Sequence, residues 1–230
     1  MRILFATVMT VLGLAAAWPG FAIERKTTAQ VSIDALIKET QSPISTPDHL
    51  DLVWFVPIEF WQVATYNPAA NAEKRDSLMS SLEPYFMIIT IQADISPVGV
   101  FNFFDTKPVA VYRTAAGTAD PLEPITELPK DIQMVILLMK PVLAQALGSL
   151  GQSINYYVYT DRRPDGSRRV SPYEAGAIEV AMQGRDLQVR SQHRIELPLD
   201  TLHVPRTCAN GKPAHVSWTH CPWDGTRLPD

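Results

Sequence analysis

The sequence predicts an α+β fold, a mostly antiparallel sheet with two covering helices. Three observations carry this. Short β-patterned runs are grouped over residues 52–114, one long apolar helical stretch follows over 131–150, and β-patterned runs resume over 154–197. Strands and helices segregated in this way belong to an α+β domain rather than to a parallel α/β sheet. The spacing of turns also suits a β-sandwich, the alternative, but a sandwich houses a long core helix poorly.

Before these elements lies Met1–Ala22, in which Arg2 precedes the apolar Ile3–Met9 and Val11–Leu14 runs, and small residues precede Ile23. That is the pattern of a secretory signal peptide cut after Ala22. Cleavage would leave 208 residues and, with Arg2 gone, a formal charge of −5 in place of −4. This length supports one domain with its own core. The mild acidity argues against nucleic acid as a partner.

Residues 23–50 read as an N-terminal arm bearing a short helix, with Ser32 as its cap, Val31, Leu36 and Ile37 as its apolar patch, and Pro43 and Pro47 closing it. The body is expected over 51–205. Leu52–Pro57 is a continuous apolar run of strand length, and Ile58–Val63 is expected to continue it. Asn67-Pro68 offers a cap and a first-turn proline for a helix over 68–83, in which Leu78, Met79 and Leu82 share one face. Tyr85–Asp94 is apolar on both alternating sets of positions, as a central covered strand is. Val98–Phe104 and Val109–Thr114 follow across an Asp105–Pro108 turn, and the three are expected to form a meander.

A Pro-rich crossing over 115–130 leads to the apolar stretch 131–150. Lys140-Pro141 at its centre excludes a membrane span and predicts a kinked helix buried in the core. Ile154–Thr160 alternates, and Pro164-Asp-Gly166 turns the chain towards Arg168–Ser171 in a hairpin. Ala177–Met182 and Leu187–Leu197 form another hairpin around Gln183–Asp186.

The tail, 206–230, holds both cysteines and two of the five histidines, and a third, His203, stands just before it. Cys208-Ala-Asn-Gly211 and His220-Cys-Pro-Trp-Asp-Gly-Thr-Arg-Leu228 resemble the two knuckles of a zinc-ribbon module, over residues 208–228. The resemblance implies a structural zinc on four thiolates. The third residue after each cysteine is Gly211 or Asp224, where the family has a thiol. Zinc on Cys208, Cys221 and two of His203, His215 and His220 is therefore one reading. A Cys208–Cys221 disulfide is the other, favoured by the oxidising exported setting and the even cysteine count, with no cofactor.

Three further groups invite a chemical reading. His49 stands between Asp48 and Asp51 and has the residue types of acid–base chemistry, although a segment following two prolines reads as a solvated loop. Glu59 is a lone carboxylate among large apolar residues, so that if buried it needs a partner. Arg162, Arg163, Arg168 and Arg169 flank a turn and offer a basic tip for an anionic polymer. Nucleophile-elbow, zincin, phosphate-loop and dinucleotide motifs are absent from the sequence. The expectation is an exported, periplasmic or secreted domain with a non-catalytic binding or structural role at the cell envelope, its partner a polymer or a protein. The alternative is an exported hydrolase built on Glu59.

Overall fold

The computed structural model describes residues 23–67, 72–146 and 148–228. The expected signal peptide and the Pro68 start of the second helix lie outside them. Among the described residues, four α-helices and eleven strands in antiparallel sheets make an α+β fold.

The first sheet runs in the order β1 (Gln41–Ser45), β2 (His49–Val56), β3 (Tyr85–Ile95), β4 (Phe101–Phe104). Its centre is β3, which pairs with β2 from Met87 to Asp94. Along its other edge it pairs first with β7 (Asn155–Thr160) and then, from Gln92 onwards, with β4. A strand enclosed on both edges and both faces needs the apolar run that Phe86–Ile89 supplies. The second sheet runs β6 (Ala119–Leu122), β5 (Val109–Thr114), β8 (Gly176–Gln183), β9 (Val189–Leu197). Pro43 in β1 and Pro121 in β6 sit on outer strands, where a missing donor is tolerated.

Side chains of both sheets enter one core, with Phe55, Phe86, Ile88 and Tyr159 from the first and Ile178, Met182 and Ile195 from the second. The segment 23–50 is bound into this body. Helix α1 (Ile33–Thr40) starts at Ser32, whose hydroxyl accepts from Ala35 N–H (3.3 Å), and buries Leu36. Its last residue, Thr40, accepts from Trp54 Nε1 (3.1 Å).

The expected meander does not form. β3 and β4 make a hairpin, but β5 leaves to found the second sheet. Fully buried Gln92 explains the departure: its Oε1 accepts from Thr106 N–H (3.1 Å) and its Nε2 donates to the Gln183 carbonyl (3.0 Å). Pro108 then lacks the N–H a continuing ladder would need.

Ile58–Val63 also departs from its expected strand. It lies in α2 (Ile58–Ala64), entered from Pro57, with Ile58, Phe60 and Trp61 buried. A short, mostly apolar segment such as Ile58–Ala64 has no pattern that separates a strand from a helix, and the proline decides between them by ending the ladder.

Helix α3 (Ala72–Leu82) meets α4 (Lys130–Ala146) through Ser81 Oγ, which donates to Asp131 Oδ2 (3.0 Å). α4 carries Pro141 as expected but is not buried all round. Ile132 and Val135 face the core, whereas Met134, Leu137 and Leu138 are exposed. Residues 168–171 form no ladder with β7. Arg162 and Arg168 make a single bridge around the 163–166 turn, and β7 is paired with β3 instead.

Candidate functional site

Glu59 is buried, as its apolar neighbours require, and its partner comes from 109 residues away. Arg168 Nη1 and Nη2 donate to its two oxygens (2.6 and 3.0 Å), while Arg168 Nε donates to Asp161 Oδ2 (2.7 Å). The other Asp161 oxygen accepts from Val170 N–H (2.8 Å). Burial pushes the Asp161 carboxyl above the usual range in spite of Arg168. Burial alone would lower Arg168, but its bonds to Glu59 and Asp161 outweigh this and keep it firmly charged. Both Glu59 oxygens are thus occupied by a guanidinium, the geometry of a structural tie between α2 and the 161–170 segment.

The other candidate arginines are engaged as well. Arg169 binds Asp120 through two bonds (2.9 and 2.6 Å), and Arg162 pairs with Glu83. Arg163 donates to the carbonyls of Arg168 and Arg169 (2.8 and 3.2 Å). The Arg163 contacts close the turn from within, and those to Asp120 and Glu83 tie it to the body.

In the tail, Cys208 and Cys221 form a disulfide, with their Cα atoms 5.7 Å apart. They sit with Ala214 and Leu228 in a small core of their own, against which Trp218 packs, beside the ribbon of β10 (Arg206–Thr207) and β11 (Pro213–Ala214). Each cysteine carbonyl accepts from a glycine in the left-handed region, Gly211 or Gly225 (2.9 Å each). The residues therefore do not fit the zinc that the resemblance implies. Both sulfurs are bonded to each other, His203 Nδ1 faces the Leu199 carbonyl (2.9 Å), and His215 Nδ1 faces Ser217 Oγ (2.7 Å). Among the described residues, no group of three or more His, Cys, Asp or Glu is placed to hold a metal ion.

His49 is not in a solvated loop. It opens β2, with Nδ1 3.1 Å from Asp48 Oδ1 and Nε2 4.0 Å from Asp51 Oδ2. Asp51 is fully buried at 0% exposure and belongs to a network that joins the two sheets. Arg190 Nη2 donates to its Oδ1 (2.5 Å), Arg190 Nε to its Oδ2 (3.0 Å), and Ser191 Oγ to Oδ2 (2.6 Å). Ser191 Oγ lies 3.1 Å from His193 Nε2, and His193 Nδ1 lies 2.8 Å from the Ser42 carbonyl on β1. Burial lowers the His193 pKa, against smaller opposing effects of Ser42 and Asp51.

Arg190 also reaches β3, donating through Nη1 to Asp94 Oδ1 (2.6 Å) and through Nη2 to the Ala93 carbonyl (3.1 Å). Arg185 takes the second Asp94 oxygen (2.9 Å), and both guanidiniums lie over the Phe104 ring, 4.3 and 4.8 Å from its centroid. Burial alone would raise Asp94; the bonds from Arg185 and Arg190 outweigh it and hold the carboxyl below its ordinary value.

This network aligns two hairpins. Gln183 lies beside Gln92 and Arg185 beside Asp94, so the β8–β9 hairpin advances in the same direction as β3–β4. The tips of both hairpins, together the apex, expose apolar side chains. On the first tip Val98 is 84% exposed, with Val100 and Phe101 also exposed; on the second, Leu187 is 64% exposed and Val189 is exposed beside it. Leu187 has φ +61°, a left-handed conformation that costs a branched residue about 1–2 kcal/mol. Glycine or asparagine is the ordinary occupant of such a position.

The outer face of β5, β8 and β9 offers a separate open concavity of about 500 Å³, crossed by the ion pairs of Glu179 with Arg113 and Arg194. No family model, no curated protein and no solved structure matches the chain.

Proposed function

We propose that the chain is an exported, non-catalytic binding domain that meets a partner at the cell envelope through the paired hairpin apex. The observation that carries this is the exposed apolar side chain of Leu187 on a left-handed backbone, with Val98 also bare on the turn between β3 and β4. Exposed apolar residues concentrated at one place mark an interaction site. The buried carboxylates Asp51 and Glu59 are spent on arginines that fasten one element to another, which suits a rigid scaffold. Export is supported by the pattern of residues 1–22 and by the disulfide. Among the described residues, no helix is long and apolar enough to cross a membrane.

The test is retention of the protein by isolated envelopes of the producing cell. Leu187→Asn suits the left-handed backbone and leaves stability equal or higher by up to ~1 kcal/mol, yet it removes the apolar contact. Combined with Val98→Ser, it is expected to reduce retention severalfold while the melting temperature stays within a few degrees. Equal retention of wild type and double variant would reject the apex as the binding surface. The exported form is expected to begin at Ile23, which the intact mass reports.

A further inference from the structure

We infer that the seam between the body and the disulfide-stapled tail binds a small aliphatic α-amino acid, taken as its zwitterion. The site is separate from the apex and does not depend on the reading above. A cavity of about 230 Å³ lies where residues 200–206 leave the body and residues 213–216 return beside them in the β10–β11 ribbon. Sites for drug-sized molecules run to roughly 300–1,000 Å³, so this one admits a ligand of amino-acid size. Its walls are largely apolar, with Val204, Pro205, Pro213 and Val216 among them, and its polar groups are few.

Those few polar groups define the ligand. The guanidiniums of Arg168, Arg169 and Arg190 are each bound to a carboxylate. Arg206 lines the cavity with no carboxylate in ion-pair distance among the described residues. Its one hydrogen bond runs from Nη1 to the Val216 carbonyl (3.2 Å), and its Nε is buried without an acceptor. An arginine does not shed its proton, so a guanidinium drawn partly out of water with most of its donors unused calls for an anion. Asp200 lines the same cavity without pairing with Arg206. Its Oδ1 accepts from Val216 N–H (2.6 Å) and lies 3.6 Å from His215 Nε2, while its Oδ2 has no partner among the described residues. His203, also lining the cavity, is 5% exposed and gives its Nδ1 hydrogen to the Leu199 carbonyl (2.9 Å). The neutral ring therefore keeps Nε2 as an acceptor with no protein partner among the described residues. A carboxylate for Arg206, an ammonium for Asp200 and His203, and a short hydrocarbon side chain for the apolar walls together make an aliphatic amino acid. A carboxylate alone would leave Asp200 unanswered, and an amine alone would leave Arg206 so.

The experiment is calorimetric titration of the mature protein with leucine and valine, and with isocaproate and isoamylamine, which keep the leucine side chain and one charge each. The amino acids are expected to bind at millimolar concentration or below, and the single-charge analogues tenfold or more weaker. Arg206→Met keeps the apolar stem and is expected to lower leucine affinity at least tenfold. Asp200→Asn keeps an acceptor for Val216 N–H and is expected to weaken leucine severalfold while sparing isocaproate. Chemical-shift mapping of the wild type with leucine needs no variant to fold, and the largest changes are expected within residues 200–206 and 213–216. Binding of neither amino acid, shift changes centred elsewhere, or undiminished binding by folded Arg206→Met would overturn the site. Isocaproate binding as tightly as leucine would overturn the zwitterion as its ligand. Each of these results leaves the apex reading untouched, since that reading is tested on envelopes through Val98 and Leu187.

Discussion

Replacing Arg190 by methionine removes the guanidinium that joins the two sheets and keeps most of its apolar stem. Asp51, at 0% exposure, then keeps, among the described residues, the Ser191 Oγ hydrogen bond and the His49 ring at 4.0 Å, while Asp94 keeps Arg185. A buried charge stripped of its partner costs about 3–5 kcal/mol. That is a large part of the roughly 5–15 kcal/mol by which a domain is stable. With a urea slope of about 2 kcal/mol per molar, the midpoint should fall by about 1.5–2.5 M. Replacing both partners, Asp51→Leu with Arg190→Met, removes the stranded charge and should recover a large share of the loss, since apolar substitutes for buried pairs are often tolerated. Urea unfolding of both single variants and the double variant measures the coupling. A loss below about 1 kcal/mol for Arg190→Met, or strictly additive single effects, would refute the role given to this network.

Three further outcomes are expected. Cys221→Ser opens a loop of sequence separation 13, whose closure contributes about 3 kcal/mol, and should loosen residues 206–228 while the main core stays folded; limited proteolysis that cuts the body as readily as the tail would contradict this. The His193 pKa is lowered by folding from an ordinary value of 6.5, so the stability present above that value should decline as pH falls below it, towards the folded value. His193→Gln should flatten that stretch of the stability–pH curve, and parallel curves would show that His193 is not responsible. A Cβ added to Gly176 would stand 2.8 Å from the Arg113 carbonyl and 2.9 Å from Tyr112, so Gly176→Ala should destabilise by about 1–3 kcal/mol in thermal melts; an unchanged melting temperature would mean that β5 and β8 can separate freely.

Much of the fold was legible in local patterns. The run 85–94 reads as a central strand because it is apolar on both faces, Ser32 reads as a cap, and the hairpin over 177–197 reads from its alternation. α2 was not legible, because a helix of seven residues that buries its first four leaves too little polar side to betray a helical period. Nor was the destination of β5, which depends on Gln92 meeting Thr106 and Gln183. The disulfide followed from compartment and count. Glu59 among apolar neighbours shows the need for a partner, but nothing near it in sequence points to Arg168, 109 residues away. The Asp51–Arg190 network joins residues 139 apart, and nothing local to either announces the other. The apex was hidden because Val98 and Leu187 were assigned to strand ends, whereas β4 begins at Phe101 and β9 at Val189. Two signals could have shown it: apolar residues flanking Gly99 in a turn, and a leucine at the end of Gln183-Gly-Arg-Asp186 where a glycine or asparagine would be at ease.

The most direct measurement is hydrogen exchange of the mature protein, free and bound to isolated envelopes. Protection on binding is expected at residues 96–101 and 185–189, with the network residues behind them already slow to exchange in the free protein. New protection centred instead on the outer stripe of α4, on the concavity over β5, β8 and β9, or on the disulfide-stapled tail, with the two tips unchanged, would contradict the apex as the surface through which this domain acts.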